Sequence, residues 1–387
     1  MQFLYLSPEF PPNFKHFIRH LNRLGARVWA LGEADFHFMP EDLRSALAYY
    51  VRADLTSLPA VEQGLAELTA AQASLGLPEG FDVVESHNEL WLRVEAFIND
   101  RYGLDGIRPA DLDRLKRKSV MKQVFQDQGL PVARGARIEN PYHGLALAAD
   151  LNYPLILKPD EGVGAGGIHK IENEAELREH LLNLTEDYVL EEFIHGRIVS
   201  YDGLTDRDGR ILFENSLVYG DGVLEYVQGK DTFFYVTRNI PTELAEIGRR
   251  LVRAFDIRRK FFHFEFFSVD GEYRPIEINC RPPGGPILDM MNYSADVDLY
   301  AAYARLIVTG DAALPTEKKY HCAYVGRRDR AYRFSHEEIL ARCGDRLVEH
   351  GENPPVFRGA MSDYRYIIRT PSEPELLELA GEILEWG

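Results

Sequence analysis

Cysteine is scarce in this chain. Cys280, Cys322 and Cys343 are the only three in 387 residues, too few and too scattered for a disulfide framework or a zinc ligand set. A reducing cytoplasm is the compartment that suits such a sequence. No apolar run approaches the roughly 18 residues a membrane helix needs, which predicts no membrane span. Met1 to Leu6 are short and apolar, with no basic stretch before them and no small-residue cleavage site after them. They predict a first strand rather than a signal peptide. Basic charge is also in deficit: the formal net charge of −17 argues against non-specific affinity for nucleic acid or a membrane surface. An anionic ligand would have to be received by local cations against the overall field. The first strand is followed by Ser7-Pro8-Glu9-Phe10-Pro11-Pro12 and not by G-x-G-x-x-G, which argues against a dinucleotide site there. Internal repeats and low-complexity tracts are absent as well.

Apolar residues at 45% and aromatics at 11% supply enough surface for folded cores, and 387 residues predict two or three domains. Over the first hundred residues, strand-like segments (Phe3 to Leu6, Arg27 to Leu31, Ala48 to Val51, Phe81 to Val84) alternate with helical ones (Asn13 to Leu24, Pro59 to Ala73, Leu90 to Asp100). That rhythm predicts an open parallel sheet with helices on its faces. A turn-rich joint, Gly103 to Pro109, marks a first boundary, giving an α/β domain over 1–108. Beyond it the pattern predicts one charged helix over Asp111 to Gln128, strands at Leu155 to Lys158, Ile168 to Ile171 and Asp187 to Ile194, and a helix at Thr242 to Phe255. An apolar helix near Ala295 to Val308 and a closing helix at Glu373 to Trp386 complete it. Thr309-Gly310-Asp311 marks a second boundary, leaving a small C-terminal α+β segment over 311–387.

The densest chemistry lies in Tyr273-Arg274-Pro275-Ile276-Glu277-Ile278-Asn279-Cys280-Arg281. As a strand it sends Glu277, Asn279 and Arg281 to one face, and Ile276, Ile278 and Cys280 to the other. A carboxylate, an amide oxygen and a guanidinium in one row suit a hard cation and a phosphate. Upstream, Phe262 to Phe267 repeats the alternation with His263 and Glu265 against Phe262, Phe264 and Phe266. A tight Val269-Asp270-Gly271-Glu272 turn would bring Glu265 close to Glu277. The same pattern also describes a hairpin whose polar face meets water. A second stretch, Lys158-Pro159-Asp160-Glu161-Gly162-Val163-Gly164-Ala165-Gly166-Gly167, puts four glycines directly after a strand, so the backbone can approach phosphate oxygens closely. It is not the Walker type, since no G-K-[ST] closes it. Taken alone it reads equally as a linker. The run Arg114-Leu115-Lys116-Arg117-Lys118 offers further cations, or a solvated helix face.

Together these motifs resemble the ATP-grasp superfamily over about Leu112 to Gly310, with Ala360 to Tyr364 weakly similar to the biotin-carboxylase-like branch. The resemblance implies an N-terminal α/β domain, a two-subdomain ATP-grasp fold over 109–310 (divided near 190) and the small C-terminal segment. It implies that ATP is contacted by Lys118 and Lys158 and covered by the loop of Gly162, Gly164, Gly166 and Gly167. It also implies that adenine is received by the hinge Glu191, Glu192, Phe193 and Ile194, partly through backbone groups. Glu265, Glu277 and Asn279 are the implied ligands of magnesium, or manganese in its place, and Arg281 the catalytic arginine. One departure stands out: where many relatives carry a ribose-binding glutamate, this chain has Ile198. Asp202 lies on the same face of that strand if it runs straight.

The activity so implied is a carboxylate–amine ligase of the amino-acid or peptide kind, in which a carboxylate attacks the γ-phosphate and an amine displaces phosphate from the acyl phosphate. A bicarbonate-phosphorylating enzyme and a non-catalytic ATP-binding regulator are the alternatives. Small-molecule acid and amine partners and a homodimer are implied; nucleic acid and membrane are not. Candidate substrate contacts are Tyr226, Gln228, Gly229, Lys230, Asp231 and the backbone of Pro282 to Pro286, the last equally readable as a turn. His263 reads as a proton carrier or a satisfied strand histidine, Cys280 as core, and Glu85 and Glu89 as cleft-facing or as a solvated helix start.

Overall fold

The computed structural model describes residues 1–162, 166–220, 229–315 and 317–387. The chain opens with β1 (Gln2–Leu6), β2 (Arg27–Gly32), β3 (Tyr49–Arg52) and β4 (Val83–Glu85), a parallel sheet in the order β3-β2-β1-β4. Helices Lys15–Arg23, Leu58–Ser74 and Leu92–Tyr102 alternate with the strands. A parallel sheet covered on both faces has near-continuous apolar strands. Accordingly Phe3, Tyr5, Val28 and Ala30 enter one core, and Leu4, Leu6, Trp29 and Leu31 the other.

A second, antiparallel sheet follows: β5 (Gly135–Arg137), β6 (Leu155–Pro159), β7 (His169–Ile171) and β8 (Tyr188–Glu192), ordered β5-β8-β6-β7. The third is built from β9 (Arg197–Thr205), β10 (Ile211–Asn215), β11 (Leu217–Tyr219), β12 (Thr232–Val236), β13 (Phe261–Val269), β14 (Glu272–Asn279), β15 (His321–Arg327), β16 (Leu347–Glu352) and β17 (Tyr364–Thr370). Its order is β14-β13-β9-β11-β12-β15-β17-β16, with β10 beside β9. The joint at Thr309–Asp311 falls between the helix Leu299–Thr309 and β15. Since β15 pairs with β12, the C-terminal strands extend the sheet that carries the acidic row. No described helix is long and apolar enough to cross a membrane.

Two predicted helices are each divided. The segment expected as one helix over Asp111 to Gln128 is Leu112–Lys116 and Lys118–Asp127, with Arg117 extended between them (φ −88°, ψ 115°). Asp160 makes the break: its carbonyl accepts from Lys118 N (2.8 Å), and its carboxylate from Ser119 N (2.8 Å) and Ser119 Oγ (2.9 Å). A capping carboxylate from across the fold thus satisfies the free donors of a helix start. The apolar helix near Ala295 to Val308 is likewise two, Ile287–Ala295 and Leu299–Thr309. Asp296 is left-handed (φ 52°) and Asp298 caps the second through Ala301 N.

Glu85 and Glu89 follow neither expectation, because both are buried. Lys260, at the entry to β13, pairs with Glu85 of β4 (2.6 Å) and with Glu95 (2.5 Å), while Tyr303 donates to Glu85 (3.1 Å). Glu89 pairs with Lys116 (3.5 Å). Burial disfavours the Lys260 ammonium, but the two carboxylates outweigh it and hold the group protonated. Removing one partner from a buried ionic cluster leaves uncompensated charge. Lys260→Met should therefore cost about 3–5 kcal/mol of unfolding free energy. Urea denaturation measures this, and an unchanged midpoint would deny the cluster a stabilising role.

Candidate active site

β13 and β14 form a hairpin whose two turn residues, Asp270 (φ 50°) and Gly271 (φ 87°), both have positive φ, as a tight two-residue connection requires. The resulting register sets Glu265 opposite Glu277 and His263 opposite Asn279. Phe262, Phe264 and Phe266 enter the core beneath, together with Ile278 and Cys280. Ile276 departs from the expected alternation. The register shifts by one residue here, pairing Phe266 with Pro275, and Ile276 lines the cavity beside Glu277 instead of joining the core. A bulge re-aims a side chain in this way.

The cavity holds about 510 Å³, and Glu265, Glu277, Asn279, Arg281, Lys118 and Lys158 all line it. Lys118 Nζ stands 3.6 Å from Glu277 Oε2, and Asn279 donates to Glu277 Oε1 (3.2 Å). Arg281 donates to the Pro282 carbonyl (2.9 Å), which ties it to the loop that follows. His263 pairs through Nδ1 with Asp202 (2.5 Å) and through Nε2 with Glu265 (3.2 Å). Burial opposes the imidazolium, yet Asp202 and then Glu265 outweigh it and push His263 up to about 9. Burial works against the Glu265 charge too, and His263 more than compensates, holding that carboxyl low. His263 is thus a charged, fully partnered strand histidine. Asp202 is buried and committed to His263, Ser200 (2.7 Å) and Asn215 (3.2 Å), so it does not reach the cavity that Ile198 lines.

Glu191 and Glu192 at the end of β8, with Phe193 and Ile194 just after it, also line the cavity. Both glutamate side chains are engaged. Glu191 bridges Lys158 (2.7 Å) and Lys122 (2.5 Å), and Glu192 pairs with Arg134 (2.8 Å). Lys122 was not among the expected residues, although it sits four positions after Lys118, which puts both on one helix face. Gly162, Gly166 and Gly167 follow β6 but do not line the cavity, and Gly164 lies outside the described residues. Gly167 has φ 73°, and a Cβ there would sit 2.9 Å from the Pro159 ring, so this position needs glycine.

Of the substrate candidates, Tyr226 and Gln228 lie outside the described residues, and Gly229, Lys230 and Asp231 do not line the cavity. Asp231 is instead held by Tyr332 (2.7 Å) near the C-terminal strands. Gly284 and Gly285 do line it, joined by Tyr219, Gly220, Phe234, Ile287, Ala360 and Met361. Most of these are ordinary apolar residues whose local sequence carries no signal. No cluster of three or more His, Cys, Asp or Glu side chains suited to a metal occurs among the described residues. Two carboxylates and an amide fit an ion that arrives with phosphate oxygens and water completing its shell.

A family model described as an ATP-grasp domain matches residues 151–289. A Sinorhizobium fredii protein described as uncharacterized protein y4rH is 23% identical over 278 residues, covering 66% of this chain and 56% of that protein. The chain thus spans about half the length of that curated relative. Among solved structures, an L-amino acid ligase from Bacillus licheniformis is similar over 99% of this chain and 96% of its own, with TM-score 0.74 and 17% identity. N5-carboxyaminoimidazole synthetase from Staphylococcus aureus complexed with ADP is similar over 99% and 97%, with TM-score 0.72 and 16% identity. At these identities the likeness is one of fold.

The Glu191 bridge has a testable pH dependence. Burial raises its carboxyl, but Lys158 and Lys122 outweigh that and hold it below the ordinary 4.5. Its stabilisation is therefore complete above that value and lost as pH falls through the lowered one. Glu191→Gln should cost about 3–5 kcal/mol near neutrality by leaving the buried Lys158 ammonium and the half-buried Lys122 without their carboxylate. The gap to wild type should narrow below pH 4.5. Guanidinium unfolding across that range measures both, and a gap independent of pH would contradict the assignment.

Proposed function

This chain carries an ATP-grasp domain, and on that premise we propose that it is an ATP-dependent carboxylate–amine ligase. The observation that carries this reading is the direct pairing of Glu265 with Glu277 in a cavity also lined by Lys118, Lys158 and Arg281. The paired carboxylates and the cations Lys118, Lys158, Arg281 and His263 converge where a polyphosphate and a carboxylate would have to meet despite mutual repulsion.

In this reading Glu265, Glu277 and the Asn279 amide oxygen would hold magnesium. Such ions, when bound, neutralise charge on the terminal phosphates. Lys158, fixed by Glu191, meets phosphate oxygens, and Lys118 exchanges its loose contact with Glu277 for one to the nucleotide. Backbone groups of Glu192 to Ile194 receive adenine, and the apolar Ile198 leaves ribose without a carboxylate partner. Arg281 holds the transferring phosphoryl group, so that a carboxylate oxygen of the acid attacks phosphorus and ADP leaves. The amine nitrogen then bonds the acyl carbon as the C–O bond to phosphate breaks. Positioning and charge stabilisation supply most of what phosphoryl transfer requires.

Losing one charge contact to a transition state costs about a hundredfold in rate. Glu277→Gln and Arg281→Ala should each lower ADP release by roughly that factor or more, with unfolding midpoints near wild type. The assay supplies ATP, magnesium and pooled carboxylic acids and amines, with mass spectrometry of the product. Wild-type rates in either variant would remove these roles. ADP release that needs bicarbonate alone would favour the carboxylase-type alternative, and release under no condition would favour a regulator.

A further inference from the structure

The two ends of the cavity differ in chemistry. On one side of the acidic row lie the charged hinge groups of β6 and β8. On the other, the sheet continues from β13 through β9 and β11 to β12. Three strand spacings extend that floor by roughly 14 Å, enough for a substrate beyond the phosphates. Tyr219 of β11 and Phe234 of β12 line the cavity there, and Ile287, Gly285 and Met361 come from the segments after Arg281 and β16. The described residues that line it there are mainly apolar, with Arg281 next to the acidic row and Arg197 of β9 also on the cavity wall.

This apolar end is firmly held. Phe234 stacks on Tyr324 with ring centroids 4.9 Å apart and planes within 1°, and its ring lies 5.9 Å from that of Tyr219. Tyr324 donates its hydroxyl to the Met361 carbonyl (2.6 Å), and Asn353 donates its amide to the same oxygen (2.8 Å). The Met361 methyl is directed at Gly285, where a Cβ would sit only 2.5 Å from it. On the apolar part of this wall, formed among the described residues by Phe234, Ile287 and Met361, a polar or charged side chain would lose its water.

We infer that the acid activated at this site carries an apolar side chain of about leucine, methionine or phenylalanine size, seated on Tyr219, Phe234 and Ile287, with Met361 setting the length it accepts. This assignment rests on the ligase reading. The apolar surface selects the class of acid, and Arg281 meets its carboxylate.

Hydroxylamine in place of the amine provides the test. Its nitrogen bonds the acyl carbon, the C–O bond to phosphate breaks, phosphate leaves and the surplus proton goes to solvent, so each activated acid is recorded as its hydroxamate. With ATP and magnesium, the full chain should form at least tenfold more hydroxamate from L-leucine, L-methionine or L-phenylalanine than from L-aspartate, L-glutamate or L-lysine, since one misfit group in such a pocket is worth roughly 10- to 200-fold. Met361→Ala should raise the phenylalanine-to-leucine ratio about tenfold, and Met361→Trp should lower it. A preference for charged acids, or a ratio indifferent to both substitutions, would overturn the assignment. If no acid yields hydroxamate, the ligase reading fails first. Calorimetry of the same acids against the chain loaded with a non-hydrolysable ATP analogue then decides the pocket separately. Apolar acids that bind wild type but bind Met361→Trp about tenfold more weakly would sustain it, and absent or unselective binding would end it.

Discussion

Two carboxylates facing each other across neighbouring strands form the constraint around which this molecule is arranged. Like charges directly opposed in a sheet repel, and an ordinary hairpin avoids them. Here Glu265 and Glu277 are fixed in that relation by a two-residue turn and an otherwise continuous ladder to β9. Each is relieved by a different part of the fold: Glu265 by His263, which Asp202 keeps charged, and Glu277 by Lys118 from the second helical segment. The pairing therefore persists because each carboxylate has a protein cation of its own.

Delivery of Lys118 depends on a second constraint. A single helix through Arg117 would not leave Lys118 at a helix start facing the cavity. The break is imposed by Asp160, two residues beyond Lys158 in the strand-to-loop segment. The cation that meets Glu277 and the cation that meets Glu191 are thus fixed by neighbouring residues of one segment. Glu191 closes the arrangement by bridging Lys158 to Lys122, one helical turn after Lys118. Three lysines and two glutamates form one interdependent set, so their geometry is specified more tightly than any single pair would allow.

What could be read in the sequence follows from the range over which each signal acts. Period-two alternation and an Asp-Gly turn are local, so the hairpin and the meeting of Glu265 with Glu277 were legible, as were the parallel strands of the first hundred residues. The helix break at Arg117 was not legible, because its cause is a carboxylate some forty positions away. Ile276 escaped for a related reason: a bulge is a property of two strands, and the alternation of one strand cannot reveal it. Glu85 and Glu89 resemble any charged loop until Lys260 and Lys116 are brought against them. The apolar wall of Tyr219, Phe234 and Met361 left no trace, since core residues and pocket residues share the same chemistry.

The continuity of the large sheet bears on how such a cavity acquires its substrate end. The strands that follow Thr309 extend the sheet by pairing with β12, and Tyr324 of β15 stacks on Phe234 while holding the Met361 carbonyl. The last seventy or so residues therefore shape the apolar end through the Tyr324 ring and the Met361 side chain and contribute no group to the acidic row. On the proposed reading, the acidic row of β13 and β14 and the Met361 side of the acid pocket belong to different stretches of chain, while Tyr219, Phe234 and Ile287 supply the rest of that pocket. Substitutions in the C-terminal stretch can alter the size of the apolar end while the register that opposes Glu265 to Glu277 is untouched. On the proposed reading, chemistry and selectivity are in this sense separable within a single sheet.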